Sequence, residues 1–234
     1  MTEINRRLYP KFNNPRYYGL VKLRKSIEQV LETYIIPNQD SSNKIALDLG
    51  CGTMPYKVLF EKHLKKYVGA DIPENQSAEL KIDLHSGRVD ITDSYADYII
   101  STQVLEHVES PTLYLQEAYR LCKNDGHLII STHGFWMYHP NPNDYWRWTA
   151  SGLKKTLFDN GWEVEKTVGI FGFAAAALCL LQDAIAIKLP KFLVTPYCFC
   201  MQQLIALADK FYTPKGREEN AVLYVMVAKK RKSF

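Results

Sequence analysis

The stretch that most constrains the fold is "IALDLGCGTMPY", residues 45–56. An apolar strand reaches an acid and then runs into two glycines that flank a cysteine. Glycines at such a turn adopt backbone angles that side chains resist, and they let a ligand approach the main chain closely. A dinucleotide loop of the G-x-G-x-x-G type needs a third glycine, and Pro55 stands in its place. A phosphate loop needs Lys followed by Ser or Thr, which this turn lacks. The turn therefore reads as a cradle for a ligand without phosphates.

The remaining chain repeats the strand-then-helix theme. Strand-like runs are "KIALDLG", "KYVGADI", the short "ELKIDL", "YADYIISTQ", "HLIISTH", "WEVEKTVGI" and "NAVLYVMVAKK". Between them, helical spacing of apolar residues marks 17–36, a turn or two over 57–63, "SPTLYLQEAYRLCKNDG" and "GLKKTLFDNG". Ser110 with Pro111 suits one helix start and Gly126 its end, and Thr149 or Ser151 suits the start of the next. Residues 1 to about 16 read as irregular. Such alternation predicts an α/β fold with a Rossmann-like, doubly wound, seven-stranded sheet, mainly parallel with an antiparallel last strand. A single domain is expected: a helical extension over 1–43, a core over 44–170, an apolar helical insertion over 171–216, and the last strand with a basic tail over 217–234. In such sheets ligands sit beyond the carboxyl ends of the strands, where all the candidate residues fall.

"ALDLGCGTMPY", followed by "YVGADI", "IDL", "ADYIISTQVLEHV" and "DGHLIIST", resembles class I S-adenosylmethionine-dependent methyltransferases, in particular their small-molecule, type 11-like branch. The resemblance covers about residues 44–170 and the final strand. It implies S-adenosyl-L-methionine as the cofactor. Gly50, Cys51 and Gly52 would pass beside its methionyl part, and Asp48 would receive its ammonium. Asp71 would accept both ribose hydroxyls, Asp83 would meet the adenine amino group, and Ile72 and Leu84 would pack near the ring. Gln103 would line the methionyl channel. Pro55 and Tyr56 would shape the adjoining wall. In related enzymes an N-terminal helix closes the pocket; here Tyr17, Tyr18 and Arg24 stand in such a position.

Methyl transfer is an in-line displacement with a neutral leaving group, so the protein must align the partners and, for a hydroxyl acceptor, take up a proton. His107 follows the fourth strand beside Glu106. After the fifth comes "THGFWMYHPNPNDYWRWT", an aromatic loop over 132–149. Its His139 is the first candidate for a general base, with His133 and His107 behind it and Asp144 as a further candidate catalytic residue. Trp136, Tyr138 and Tyr145 would wall the acceptor, and Arg147 would hold a carboxylate or phosphate. The pattern "HPxPxDYWRWT" resembles methyltransferases of cell-envelope glycans and secondary metabolites. A small-molecule or glycan-type acceptor, methylated at oxygen, is the expectation. The alternatives are a SAM-binding partner subunit without catalysis and a methyltransferase of protein or RNA. An aminopropyl transferase or an NAD-dependent oxidoreductase on the same fold is a third class, and Pro55 argues against the oxidoreductase.

A net charge of +4 in 234 residues is too weak to indicate a nucleic-acid partner. Five unpaired-looking cysteines suit a reduced, cytoplasmic chain, and the "CxC" at 198–200 has no completing ligands, so no metal is expected. The apolar run over 168–181 is shorter than the ~20 residues that cross a bilayer. Three uses of the insertion stay open: a lid, a homodimer face, or a peripheral contact with the inner face of a membrane, with Lys188, Lys191, Lys210, Lys215 and the "KKRK" tail flanking the helices.

Overall fold

The computed structural model describes residues 3–38 and 40–232, with side chains from residue 6 onward. Its elements run α1 (Glu3–Leu8), α2 (Tyr17–Tyr34), β1 (Ile45–Leu49), α3 (Lys57–Phe60), β2 (Lys66–Asp71), β3 (Leu80–Lys81), β4 (Ala96–Thr102) and α4 (Pro111–Leu121). They continue with β5 (Cys122–His133), α5 (Ala150–Asp159), β6 (Trp162–Ile170), α6 (Phe173–Ala186), α7 (Lys191–Lys210), α8 (Pro214–Glu219) and β7 (Leu223–Lys230).

One seven-stranded sheet orders these strands β3-β2-β1-β4-β5-β7-β6. The pairs from β3 to β5 are parallel. β7 runs antiparallel to both β5 and β6, as the sequence predicts. Both sheet faces are covered, which is why β4 is buried along its whole length. Its side chains alternate: Tyr98 and Ile100 join a core with α1, α2, α6 and α7, while Ile99 joins one with α4 and α5.

Local chemistry accounts for several boundaries. Ser110 Oγ accepts from Leu113 N at 3.4 Å with Pro111 in the first turn, and Thr149 Oγ1 accepts from Gly152 N at 3.0 Å. Such caps contribute about 1 kcal/mol each. Four expectations are corrected. The N-terminal stretch is not irregular throughout: α1 forms because Leu8 is buried and its carbonyl accepts from Arg24. α3 stops at Phe60, and β3 is only two residues long. Gly126 does not end α4, which gives way to β5 at Cys122. It sits where a Cβ would lie 2.6 Å from Asp97 O.

Sheet order reverses around β1, so a crevice opens between the carboxyl ends of β1 and β4. At the far edge α8 lies directly on β6. A Cβ on Gly169 would stand 1.9 Å from Arg217 O, a backbone atom that cannot swing aside. Gly169→Ala should therefore cost about 1–3 kcal/mol, lowering the melting temperature by about 2–4 °C per kcal/mol. An unchanged melt would show that α8 is not seated there.

Candidate active site

The cradle is built as the residue types require. Gly50 and Gly52 have φ of 74° and 51°, angles that favour glycine. A Cβ on Gly50 would strike Val104 Cγ1 at 2.6 Å, whereas one on Gly52 would meet no atom within 4 Å. The first glycine thus locks the turn against the β4 loop, and the second leaves clear space above the main chain. Cys51 turns the other way: its thiol is buried under the turn near Gly69, and burial pushes its pKa far up. Only its backbone faces a ligand's path.

Asp48 is 2% exposed. Its Oδ2 accepts from Tyr67 Oη at 2.7 Å, and its Oδ1 has no hydrogen-bond partner among the described residues. Burial raises its pKa to about 7, against the lowering effect of the tyrosine bond. An orphaned buried oxygen beside a glycine cradle suits a ligand carrying an ammonium group. The residues present therefore fit S-adenosylmethionine.

Asp71 ends β2. Its Oδ1 accepts from Ile72 N at 2.8 Å, and its Oδ2 accepts from Gly52 N and Asn75 Nδ2, both at 2.7 Å. The Cys51 thiol also lies 4.0 Å from Oδ2, so internal contacts occupy the roughly four acceptor positions of the carboxylate. A grip on both ribose hydroxyls therefore requires neighbours such as Asn75 to yield their bonds. Sequence reasoning passed over Asn75, which also donates to Gly52 O at 2.7 Å and ties the two loops together. Ile72 is partly exposed beside Asp71, with Asp83 and Leu84 beyond β3. Asp83 lies on an exposed turn with its Oδ1 accepting from Ser86 N and Oγ, bonds that lower its pKa. Gln103, after β4, holds φ of 58° and donates from Nε2 to Ser131 Oγ at 3.0 Å. A non-glycine residue in that region stores strain of the kind found at functional sites.

Beside this groove lies a cavity of about 280 Å³. Gln103, His107, His133, Trp136 and His139 line its sheet side; Arg7, Arg16, Gly19, Leu20 and Leu23 close it from the N-terminal segment. Gln182 of α6 and Gln202 of α7 also face it. The N-terminal segment therefore covers this cavity. It does so through Arg7 and Arg16, which sequence reasoning missed, and Arg24 instead bonds Leu8 O. Tyr18 stacks on Phe171, which also lines the cavity.

Three histidines gather around Glu106, which is fully buried. Glu106 accepts from Thr132 Oγ1 at 2.8 Å and lies 2.7 Å from His133 Nδ1. Burial alone would raise its pKa, yet His133 and these bonds hold it below the usual value. His139 meets His133 at 4.6 Å and His107 at 5.1 Å between ring centres. One ligand atom each from Glu106, His133 and His139 lies within 4.8 Å of the others, a grouping able to approach a metal ion. The 2.7 Å contact between Glu106 and His133 is a hydrogen bond that satisfies both without one.

His139 N donates to Asp144 Oδ2 at 2.8 Å, and its Nδ1 lies 3.4 Å from the same oxygen. Burial, aided by His133, lowers the His139 pKa, so its ring is neutral at neutral pH. Asp144 is clamped by Arg147 through two 2.6 Å bonds and its pKa is held far below the carboxylate range. It anchors the His139 main chain, the ring Nδ1 having no hydrogen-bond partner among the described residues, and cannot itself take up a proton.

The expectation that Arg147 binds an acceptor is overturned. A guanidinium has five N–H groups, and all are engaged: by Asp144 twice and by the carbonyls of Trp136, Met137 and Trp146. Tyr138 and Tyr145 are exposed and do not line the cavity. Trp136 does, held between His133 at 5.4 Å and the Arg16 guanidinium at 4.8 Å. His107 bonds Asn143 O through Nδ1 and so helps anchor the aromatic loop.

This fold agrees with what comparison finds. A family model described as a methyltransferase domain matches residues 20–166. The chain belongs to that family, the class I S-adenosylmethionine-dependent methyltransferases, whose cofactor is S-adenosylmethionine. A probable S-adenosylmethionine-dependent methyltransferase of Mycolicibacterium smegmatis is 26% identical, with 56% of each chain covered. A relative from Dictyostelium discoideum is 28% identical over 61% of this chain and 56% of its own. The chain spans about half the length of these curated relatives. Among solved structures, Haemonchus contortus phosphoethanolamine N-methyltransferase 2, in complex with S-adenosyl-L-methionine, superposes with a TM-score of 0.58 at 11% identity. The match covers 99% of this chain and 61% of that one. A [4+2]-cyclase superposes with a TM-score of 0.57 at 14% identity, covering 90% and 82%. These likenesses show the fold alone.

Asp48 must be ionised to pair with an ammonium, and its carboxyl titrates near 7. Affinity for S-adenosylhomocysteine should therefore climb as pH rises through that value. It should decline again only at alkaline pH, where the ligand's own amine loses its proton. Asp48→Asn should remove the climb. A flat calorimetric profile in the unmodified chain would exclude Asp48 from the amine site.

Proposed function

We propose that the chain transfers the methyl group of S-adenosylmethionine to a hydroxyl of a small-molecule or glycan-type acceptor. The observation that carries this reading is His139. Its imidazole is kept neutral, lies with Nδ1 3.4 Å from Asp144 and lines the cavity at the carboxyl end of β5. S-adenosylmethionine supplies an electrophilic methyl group on a sulfonium whose departing thioether is neutral.

The protein's part is alignment and proton transfer. Gln103 stands between groove and cavity, touching both β4 and β5. Trp136, packed by His133 and Arg16, contributes apolar surface to the cavity wall. The acceptor hydroxyl gives its proton to His139, and the Asp144 carboxylate 3.4 Å from Nδ1 stabilises the imidazolium. A cavity of about 280 Å³ lies at the small end of ligand pockets, which favours a small acceptor group over a folded macromolecule.

His139→Ala should lower turnover by ~10²-fold or more and leave cofactor affinity unchanged. A base works deprotonated, and the His139 pKa is shifted down. With saturating cofactor the unmodified chain should therefore keep its rate at pH 7 and lose it only below the ordinary histidine range. Release of S-adenosylhomocysteine over a panel of hydroxyl-bearing sugars and small alcohols reads both effects. Undiminished turnover in the variant would remove the base. Tight cofactor binding with no turnover on any acceptor would instead favour a partner subunit without catalysis.

A further inference from the structure

The insertion carries apolar side chains on both sides. On α6 Ala175, Ala176 and Cys179 are buried together with Gln182 and Asp183, while Phe173, Leu180, Leu181 and Ile185 face outward. On α7 Cys198, Met201 and Ile205 are buried together with Gln202 and Asp209, and Phe199, Leu204 and Leu207 face outward. Ile187 between the helices, Phe192 in the first turn of α7 and Phe211 after it are 68%, 78% and 81% exposed. Water-facing helices place polar side chains outward; here both helices expose large apolar side chains instead, the kind of surface that marks an interaction site.

The inward polar groups are mostly engaged, with Asp183 Oδ2 left without a hydrogen-bond partner among the described residues. Arg16 pairs with Asp183, and Lys22 and Arg217 pair with Asp209. Gln182 and Gln202 bond one another at 2.8 Å, and both donate to Pro15 O. This network fastens the hairpin to the start of α2, so it is a fixed platform rather than a hinged lid. By length and composition α7 could cross a membrane. Its Gln202 and Asp209, committed to the domain, rule out a span. α6, at 14 residues, reaches only about 21 Å.

Charge selects the occupant. From Phe173 to Lys215 every exposed charged side chain is a lysine: Lys188, Lys191, Lys210 and Lys215. Pairing this face with a second copy would bring like charges together. An apolar strip edged by lysines instead complements a bilayer surface with anionic headgroups. The "KKRK" tail does not contribute. Lys229 pairs with His127 and Lys230 with Trp162, at the opposite end of the sheet, and the Lys230 ammonium bonds Cys122 O.

We infer that the α6–α7 hairpin docks in the plane of an anionic membrane surface, apolar face inward and lysines among the headgroups. This stands independently of the acceptor assigned above. Flotation with vesicles of phosphatidylcholine, with or without phosphatidylglycerol, tests it. The chain should float with the anionic vesicles, less so at high salt and weakly with phosphatidylcholine alone. Phe192→Glu, and Lys188→Glu with Lys191→Glu, should each weaken binding at least about tenfold. S-adenosylhomocysteine affinity on the same samples should be unchanged, which separates failure of the face from failure of the active site. No flotation of folded, cofactor-competent chain with anionic vesicles would overturn the inference. So would a dimer in sedimentation velocity that Phe192→Glu dissolves while vesicle binding is absent.

Discussion

The buried carboxylate of Glu106 is the constraint on which the acceptor side depends. A fully buried acid is tolerated only where hydrogen bonds replace water. Glu106 finds them on the neighbouring strand, from Thr132 and His133. Its backbone carbonyl also accepts from Tyr145 N at 2.8 Å and Trp146 N at 3.2 Å. One residue after β4 therefore fixes the end of β5 and the far limb of the aromatic loop. The Asp144–Arg147 clamp then holds the near limb by the carbonyls of Trp136 and Met137. Between these two anchors His139 and Trp136 have defined places on the cavity wall.

The cofactor side rests on a different device. Two glycines in left-handed conformations, a hydrogen-bonded Asp71 and a buried Asp48 with a free oxygen bring the loops after β1 and β2 together. A [4+2]-cyclase superposes on the same fold, so the fold alone does not dictate the chemistry. The reaction is set by the groups facing the cradle, and here these are histidines on β5 and its loop.

The cradle was legible in the sequence because its signals are local. Positive φ selects glycine, and an acid at a strand end is recognisable from the hydrophobic run before it. Arg147 shows where this stops. A guanidinium in an aromatic loop has the same residue type whether it meets a ligand or five internal acceptors, and only the fold decides. The partners of Glu106 lie 26 and 27 residues downstream, so its neighbours in sequence carry no sign of them. Gln182 and Asp183 stand just beyond the apolar run over 168–181, and only the fold shows that they lie on the inward face of α6.

A crystal structure with bound S-adenosylhomocysteine bears most directly on the assignment of groove and cavity. The ribose should meet Asp71 and the amine Asp48, with the sulfur directed toward the cavity wall that carries His139. A ligand seated elsewhere, or with its sulfur turned away from His139, would contradict it.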